Sequence, residues 1–287
     1  MKTIITSDSS CDLSKEQLKE YDIRTIPIYV NMNGEEYKDG INISPEDIFK
    51  YVKETKTLPK TSALSVADYQ TFFKSILDSN PDTKIIHISL SSGLSSCCEH
   101  AKLASEEFEG KVAVIDGLNL STGTGLLVLY AAKLAKSGVH QSEIVEKVQK
   151  RVPFVQASFI IDEVHYLHKG GRCSSVALLG ANLLKIKPKI QVIDGGMKST
   201  GKPRGKMLAV LKDYVDQTLS EFNNPDKSIC FVTHSCIEPE IAKEIKEYVE
   251  SKKIFDEVIV TVASSTITCH CGKGTLGILY INDGGEK

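Results

Sequence analysis

The stretch Lys84–Ser96, KIIHISLSSGLSS, decides the fold. Ile85, Ile86, Ile88 and Leu90 make a short apolar run rich in β-branched side chains, which suits a strand buried on both faces of a parallel sheet. Ser91, Ser92, Ser95 and Ser96 then surround Gly93, and Cys97–Glu107 reads as a helix. Strand, small-residue turn and helix N-terminus in that order make a natural anion site. The first helical N–H groups have no internal partner, and serine hydroxyls add donors.

Outward from that stretch, strands and helices alternate. Lys2–Thr6 is a strand that runs into a polar turn, Ser7–Leu13. Ser14, with Gln17 three residues on, starts a helix over Lys15–Tyr21, and Thr25–Val30 is a second strand. The turn lies at the carboxyl end of the first strand, where open α/β sheets bind ligands. Asp8, Ser9 and Ser10 fit that role and fit an ordinary capped turn equally well. Residues 31–60 read as a small insertion on the sheet domain, with a turn at Asn33-Gly34 and a short helix begun by Ser44-Pro45-Glu46-Asp47. Thr61, Ser62 and Ser65 form a second hydroxyl-rich loop, and helix capping accounts for one of the three hydroxyls. Lys111–Asp116 is another buried strand, Asn119–Gly125 a small-residue loop, and helices run on to Ser137 and over Gln141–Val152.

Past about residue 155 the texture changes. Ser158–Ile161 is a strand, and Gly170-Gly171 present Arg172, whose fork suits a carboxylate or phosphate. Ala177–Leu184 reads as a helix, Gly195-Gly196 as a hairpin turn, and Lys198, Lys202, Arg204 and Lys206 as a solvated basic run. Helices over Leu208–Phe222 and Pro239–Ser251 alternate with strands over Ser228–His234, Glu257–Val262 and Leu276–Ile281. The expectation is an α/β protein of two domains: residues 1–155 around a parallel sheet, and residues 156–287 a smaller α+β domain with partly antiparallel pairing.

Composition narrows the function. The 287 residues are 41% hydrophobic and 25% charged with a net charge of −2, an ordinary globular balance without the electrostatic footprint of a nucleic-acid binder. MKTIITSDSS has no signal-peptide core, and the longest apolar stretch, Gly125–Ala135, is too short for a membrane span, so a cytoplasmic protein is expected. Its eight cysteines read as reduced thiols, and neither Cys97-Cys98 nor Cys269-His270-Cys271 has the spacing of a zinc knuckle, so no metal is expected. Two further classes stay open. A serine hydrolase would want a G-x-S-x-G elbow, which Ser92-Gly93-Leu94-Ser95 is not. A phosphate- or nucleotide-binding module is compatible with the strand-end loops, although no P-loop or G-x-G-x-x-G occurs.

Six motifs in order carry a resemblance: SDSSCDL at 7–13, KTSALS at 60–65, SSGLSS at 91–96, KGGRCS at 169–174, LLKIKPKI at 183–190 and HCGKGTLG at 270–277. Together they resemble the DegV family, which includes the fatty-acid-binding subunits of bacterial fatty acid kinases. The resemblance implies a lipid-binding protein rather than an enzyme, with a long-chain fatty acid such as palmitate between the two domains and no other cofactor. It implies that Thr61, Ser62 and Ser95 hold the carboxylate. It implies that Arg172, Arg204 and His270 serve phosphoryl transfer or docking of a partner kinase. Ser96, Asp116-Gly117 and Cys271-Gly272-Lys273 depart from the family's usual residues. The leucine-rich segments 126–134 and 176–186 are candidates for the wall of an acyl tunnel, beside the plainer reading of core packing.

Overall fold

A computed structural model of the chain describes residues 2–177 and 186–285. Three sheets organise them. The first is parallel and four-stranded, built from β1 (Lys2–Asp8), β2 (Arg24–Ile26), β6 (Thr83–Ser89) and β7 (Val112–Asp116) in the order β2-β1-β6-β7. A small antiparallel sheet holds β3 (Tyr29–Met32), β4 (Glu35–Lys38) and β5 (Lys60–Ser62) in the order β4-β3-β5. The third belongs to the second domain. It runs β10-β9-β8-β13-β11-β12, with β8 (Val155–Ile160), β9 (Lys189–Ile193), β10 (Gly196–Gly201), β11 (Cys230–Ser235), β12 (Val258–Val262) and β13 (Thr275–Ile281). Only the β11–β12 pair of this sheet is parallel.

The opening stretch forms β6 at the centre of the parallel sheet, with Ile85, Ile86 and Ile88 fully buried. In the order β2-β1-β6-β7 the connections reverse direction between β1 and β6. Open α/β sheets hold their ligands at such a switch point, outside the carboxyl ends of the strands.

Three expectations need correction. Thr25–Val30 is not one strand. Pro27, which cannot donate to a sheet ladder, separates β2 in the parallel sheet from β3 in the small one. Residues 31–60 are more than an insertion, because β3 pairs with both β4 and β5 and so forms a sheet of its own. The third, for residues 126–134, is narrowed rather than overturned. They lie in the helix Ser121–Lys136, whose residues Ser121–Leu129 are all buried, and which packs on β1 and β6 as well as on β8, β11 and β13. Leu127 and Val128 are core packing, while Leu126, Leu129, Tyr130 and Lys133 line a separate cavity of about 200 Å³ away from the domain-interface site. Close approach depends on Gly125, where a Cβ would fall 2.6 Å from the Cys11 carbonyl oxygen. The helix expected over Ala177–Leu184, and most of the leucine-rich segment 176–186, lie outside the described residues.

Candidate functional site

The SSGLSS loop leaves β6 at the switch point and is fixed from two sides. The Ser91 backbone N–H donates to the Asn119 carbonyl at 2.9 Å, and the Ser91 hydroxyl donates to the Gly195 carbonyl of the β9–β10 turn at 2.6 Å. Gly93 passes so close to that turn that a Cβ would sit 2.7 Å from the Gly195 oxygen. The serine loop of the first domain is therefore braced by a hairpin of the second.

The neighbouring turn after β1 has another role. Asp8 is fully buried and accepts from the Tyr69 hydroxyl at 2.5 Å, the Ser89 hydroxyl at 2.7 Å and the Leu90 N–H at 2.8 Å, with His87 Nε2 at 3.4 Å. Burial alone would raise its pKa, but His87, Tyr69 and the Leu90 N–H together hold it below the usual carboxylate value. Ser9 accepts from the Ile28 N–H at 3.1 Å and donates to Asp39 at 3.1 Å. Of the two readings that this turn allows, the structure favours the scaffold over the ligand loop.

Asp12 and Asp39 reach across the domain boundary to the helix Ser265–Cys271. Asp12 accepts from the Ser264 N–H at 2.9 Å and from the Ser121 hydroxyl at 2.5 Å. Asp39 accepts from the N–H groups of Ser265 at 2.9 Å and Thr266 at 3.2 Å. Two carboxylates thus occupy the positive end of this helix. Little in the local sequence marks this helix beyond Ser264 at its start. STITCHC is full of β-branched and small residues with poor helix propensity, and apart from its own N-cap, the Ser264 hydroxyl that accepts from the Ile267 N–H at 3.4 Å, the groups that cap its start come from more than 200 positions away.

A cavity of about 360 Å³ opens beside these clamps, between the two domains. Ile28, Leu90, Leu94, Leu120, Met197 and Ile267 give it an apolar wall. A narrower apolar space of about 20 Å³ adjoins it, sharing Leu120, Ile267 and Cys271 and reaching Phe159 and Leu279 on the six-stranded sheet. Burial and the nearby Asp12 push the Cys271 thiol up to about 12, so it faces both spaces as a neutral group.

Thr61, Ser62, Ser95, Arg172 and His270 all line the larger cavity; Arg204 does not, and lies exposed between β10 and the helix Met207–Glu221. Thr61 and Ser62 sit on β5 rather than in a loop, paired with Val30 and Tyr29. The Ser62 oxygen accepts from Asn31 Nδ2 at 2.8 Å, and the Ser95 oxygen accepts from the Cys97 N–H at 3.3 Å. With those oxygens engaged as acceptors, both O–H groups are left to donate into the cavity. Thr61 Oγ1 lies 2.9 Å from His270 Nε2, a contact between residues 209 positions apart. Burial, reinforced by the charge of Arg172, lowers the His270 pKa to about 4, so the imidazole is neutral at pH 7. Arg172 is exposed at the mouth and donates to the Gly170 carbonyl at 2.7 Å. Sequence reasoning missed Asn31, Asp12 and Asp39 as supports of the site, because nothing local marks their partners. Among the described residues no group of three or more His, Cys, Asp or Glu side chains is placed to hold a metal, and no helix is long and apolar enough to cross a membrane.

The fold and the cavity define a class: a two-domain α/β protein with an apolar, hydroxyl-rimmed cavity at the domain interface. The family profile described as "Uncharacterised protein, DegV family" matches residues 2–283, and the chain belongs to the DegV family. A DegV domain-containing protein of Staphylococcus aureus strain COL is 30% identical over 289 residues, covering 98% of this chain and 99% of its own. Among solved structures, DegV of Bacillus subtilis, a fatty acid binding protein, superposes with a TM-score of 0.85 at 26% identity, covering 99% of this chain and 100% of its own. A stearic acid-binding protein of Eubacterium ventriosum does so with a TM-score of 0.83 at 26% identity, covering 97% of each chain.

Proposed function

We propose that the chain binds a long-chain fatty acid in this cavity, with the carboxylate at the Thr61, Ser62 and Ser95 hydroxyls and the acyl chain along the apolar wall. The observation that carries the reading is the conjunction of an interdomain apolar cavity with hydroxyl donors gathered from a strand, β5, and a separate loop, SSGLSS. A carboxylate leaving water must find hydrogen bonds or take up a proton, and several O–H donors supply them. The acyl chain supplies most of the affinity: at about 0.8 kcal/mol per buried CH₂, a palmitate-sized tail contributes on the order of 10 kcal/mol before ordering costs. The cavity volume of about 360 Å³ falls within the range of roughly 300–1,000 Å³ usual for ligand pockets. The fatty-acid-binding proteins of B. subtilis and E. ventriosum support the same ligand class.

On this reading the protein is a carrier. Among the described residues Thr61 and His270 form the one pair at the site that looks like a hydroxyl and its base, but a histidine held near pKa 4 is a weak base, and among those residues its Nδ1 has no carboxylate to orient it. That argues against a hydrolase. The finer role is to present the bound carboxylate to a partner kinase in the cytoplasm, feeding lipid metabolism. Exposed Arg172 at the mouth, His270 behind it and exposed Arg204 further along the surface then serve the kinase side. Mass spectrometry of lipid extracted from the purified protein tests the ligand class. One equivalent of a long-chain acid is the expected result. Recovery of a nucleotide in place of lipid would overturn the reading.

A further inference from the structure

Asp12 and Asp39 close on the same helix end from two different parts of the first domain. Asp12 lies in the turn after β1, and Asp39 follows β4 of the small sheet. Both are buried, at 6% and 3% exposure. Asp12 accepts from the Ser264 N–H and the Ser121 hydroxyl, and Asp39 from the N–H groups of Ser265 and Thr266 and from the Ser9 hydroxyl. Among the described residues neither carboxylate has a cation within ion-pair range. Two dry carboxylates with hydrogen bonds but no counter-charge resist being ionised together.

The other titratable groups near Asp12 offer it no relief. Asp39 approaches from the small sheet, Cys11 from its own turn and Cys271 from the clamped helix, and burial pushes both thiols up to about 12. Asp8, at the end of β1, spends its oxygens on Tyr69, Ser89 and Leu90. The helix Ser121–Lys136 presents the Ser121 hydroxyl. Desolvation therefore dominates, the charge of Asp39 adds to it, and the Asp12 pKa rises to about 7. The clamped helix is itself part of the ligand site. Thr266, Ile267, His270 and Cys271 line the acyl cavity, and His270 meets Thr61 of β5 at 2.9 Å. The start of the helix is tied to the first domain by two carboxylates, and its end by Thr61.

We infer that Asp12 and Asp39 are positioning residues, and that their clamp makes acid binding proton-linked: the liganded protein holds at Asp12 a proton that the empty protein releases. The inference rests on the reading of the interdomain cavity as the acyl site. A ligand lying between the domains keeps them together and Asp12 dry. Without it the domains part more readily, water reaches Asp12, and a hydrated carboxyl returns toward its ordinary value of 3.8. Binding therefore takes up a proton between that value and about 7, so affinity is highest at low pH and is lost as pH climbs to about 7. Asp39 keeps the start of the helix, and through it His270, in register with β5.

The test titrates palmitate into the full chain freed of lipid at pH 5.5 and pH 8, beside Asp12→Asn, whose amide stands for the protonated carboxyl. From the lower pH to the higher, wild type should lose about tenfold more affinity than Asp12→Asn. Calorimetry of wild type at pH 7, in buffers of different ionisation enthalpy, should show about half a proton taken up per ligand, a readout that does not depend on the variant folding. Equal losses in the two proteins, or no proton taken up by wild type, would overturn the linkage while leaving the acyl reading intact. Histidine NMR tests the positioning. His270, held near 4 in wild type, should titrate closer to the ordinary 6.5 in Asp39→Ala, and Asp39→Asn, which keeps an acceptor for the Ser265 N–H, should reverse part of that change. A His270 that titrates alike in all three proteins would remove Asp39 from its positioning role. Failure of palmitate to bind at either pH would instead overturn the acyl reading.

Discussion

Two serine-rich turns leave neighbouring strands of the same parallel sheet, and the proposed function gives them opposite roles. The turn after β1 carries SDSS and the turn after β6 carries SSGLSS, and the sequence offers both as anion sites. The first brings its own anion. Asp8 takes the Ser89 hydroxyl and the Leu90 N–H for itself, and with them the donors nearest the switch point. The second has no internal carboxylate. Its Ser95 is left with a hydroxyl to donate, and its Ser91 ties the loop to the other domain. The lesson is that one built-in carboxylate turns a ligand loop into scaffold, and the scaffold then fixes the geometry of the loop beside it.

Asp8→Ala should break this comparison most severely. It strands a buried tyrosine hydroxyl, a serine hydroxyl and a backbone N–H at once. Loss of a buried, multiply bonded carboxylate costs on the order of 4 kcal/mol. Urea unfolding should show that loss as a lower midpoint, and an unchanged midpoint would remove Asp8 from its role as scaffold.

Asp12, four residues along the same turn, is perturbed the other way. Burial raises its pKa to about 7, against the partial compensation of Ser121 and Ser264. A carboxyl whose folded pKa is raised favours the fold while protonated in both states. That contribution is present below the ordinary value of 3.8 and is lost as pH climbs to about 7. Asp8, with its lowered pKa, has the opposite sign: its contribution is present above the ordinary value and is lost as pH falls through the depressed one. Wild type should therefore lose on the order of 4 kcal/mol relative to Asp12→Asn between pH 4 and pH 8. Urea midpoints of the two proteins across that range check the sign, and parallel curves would contradict it.

The sequence showed the frame of the molecule clearly. Buried parallel strands write themselves as β-branched runs, and Ile85, Ile86 and Ile88 needed no more than that. Pro27 was a visible break that the apolar pattern around it concealed. The site was legible only in pieces. Thr61 and Ser62 stood out in a hydroxyl-rich loop and Ser91 and Ser95 in the turn after a buried strand, but the contacts of Ser62 with Asn31, Thr61 with His270 and Ser91 with Gly195 are set by pairings across the whole chain. The helix Ser265–Cys271 was hard to read for the same reason, since beyond its Ser264 cap it is held by carboxylates of the other domain and not by its own propensity.

The central claim is that the second turn and β5 hold a carboxylate while the first turn holds the fold. Calorimetric titration of palmitate into wild type and Thr61→Ala/Ser95→Ala, beside their thermal melts, tests it most directly. Loss of two donors should weaken binding by about tenfold, with the melting temperature within a few degrees of wild type. Palmitate bound with undiminished affinity by that double variant would contradict the account.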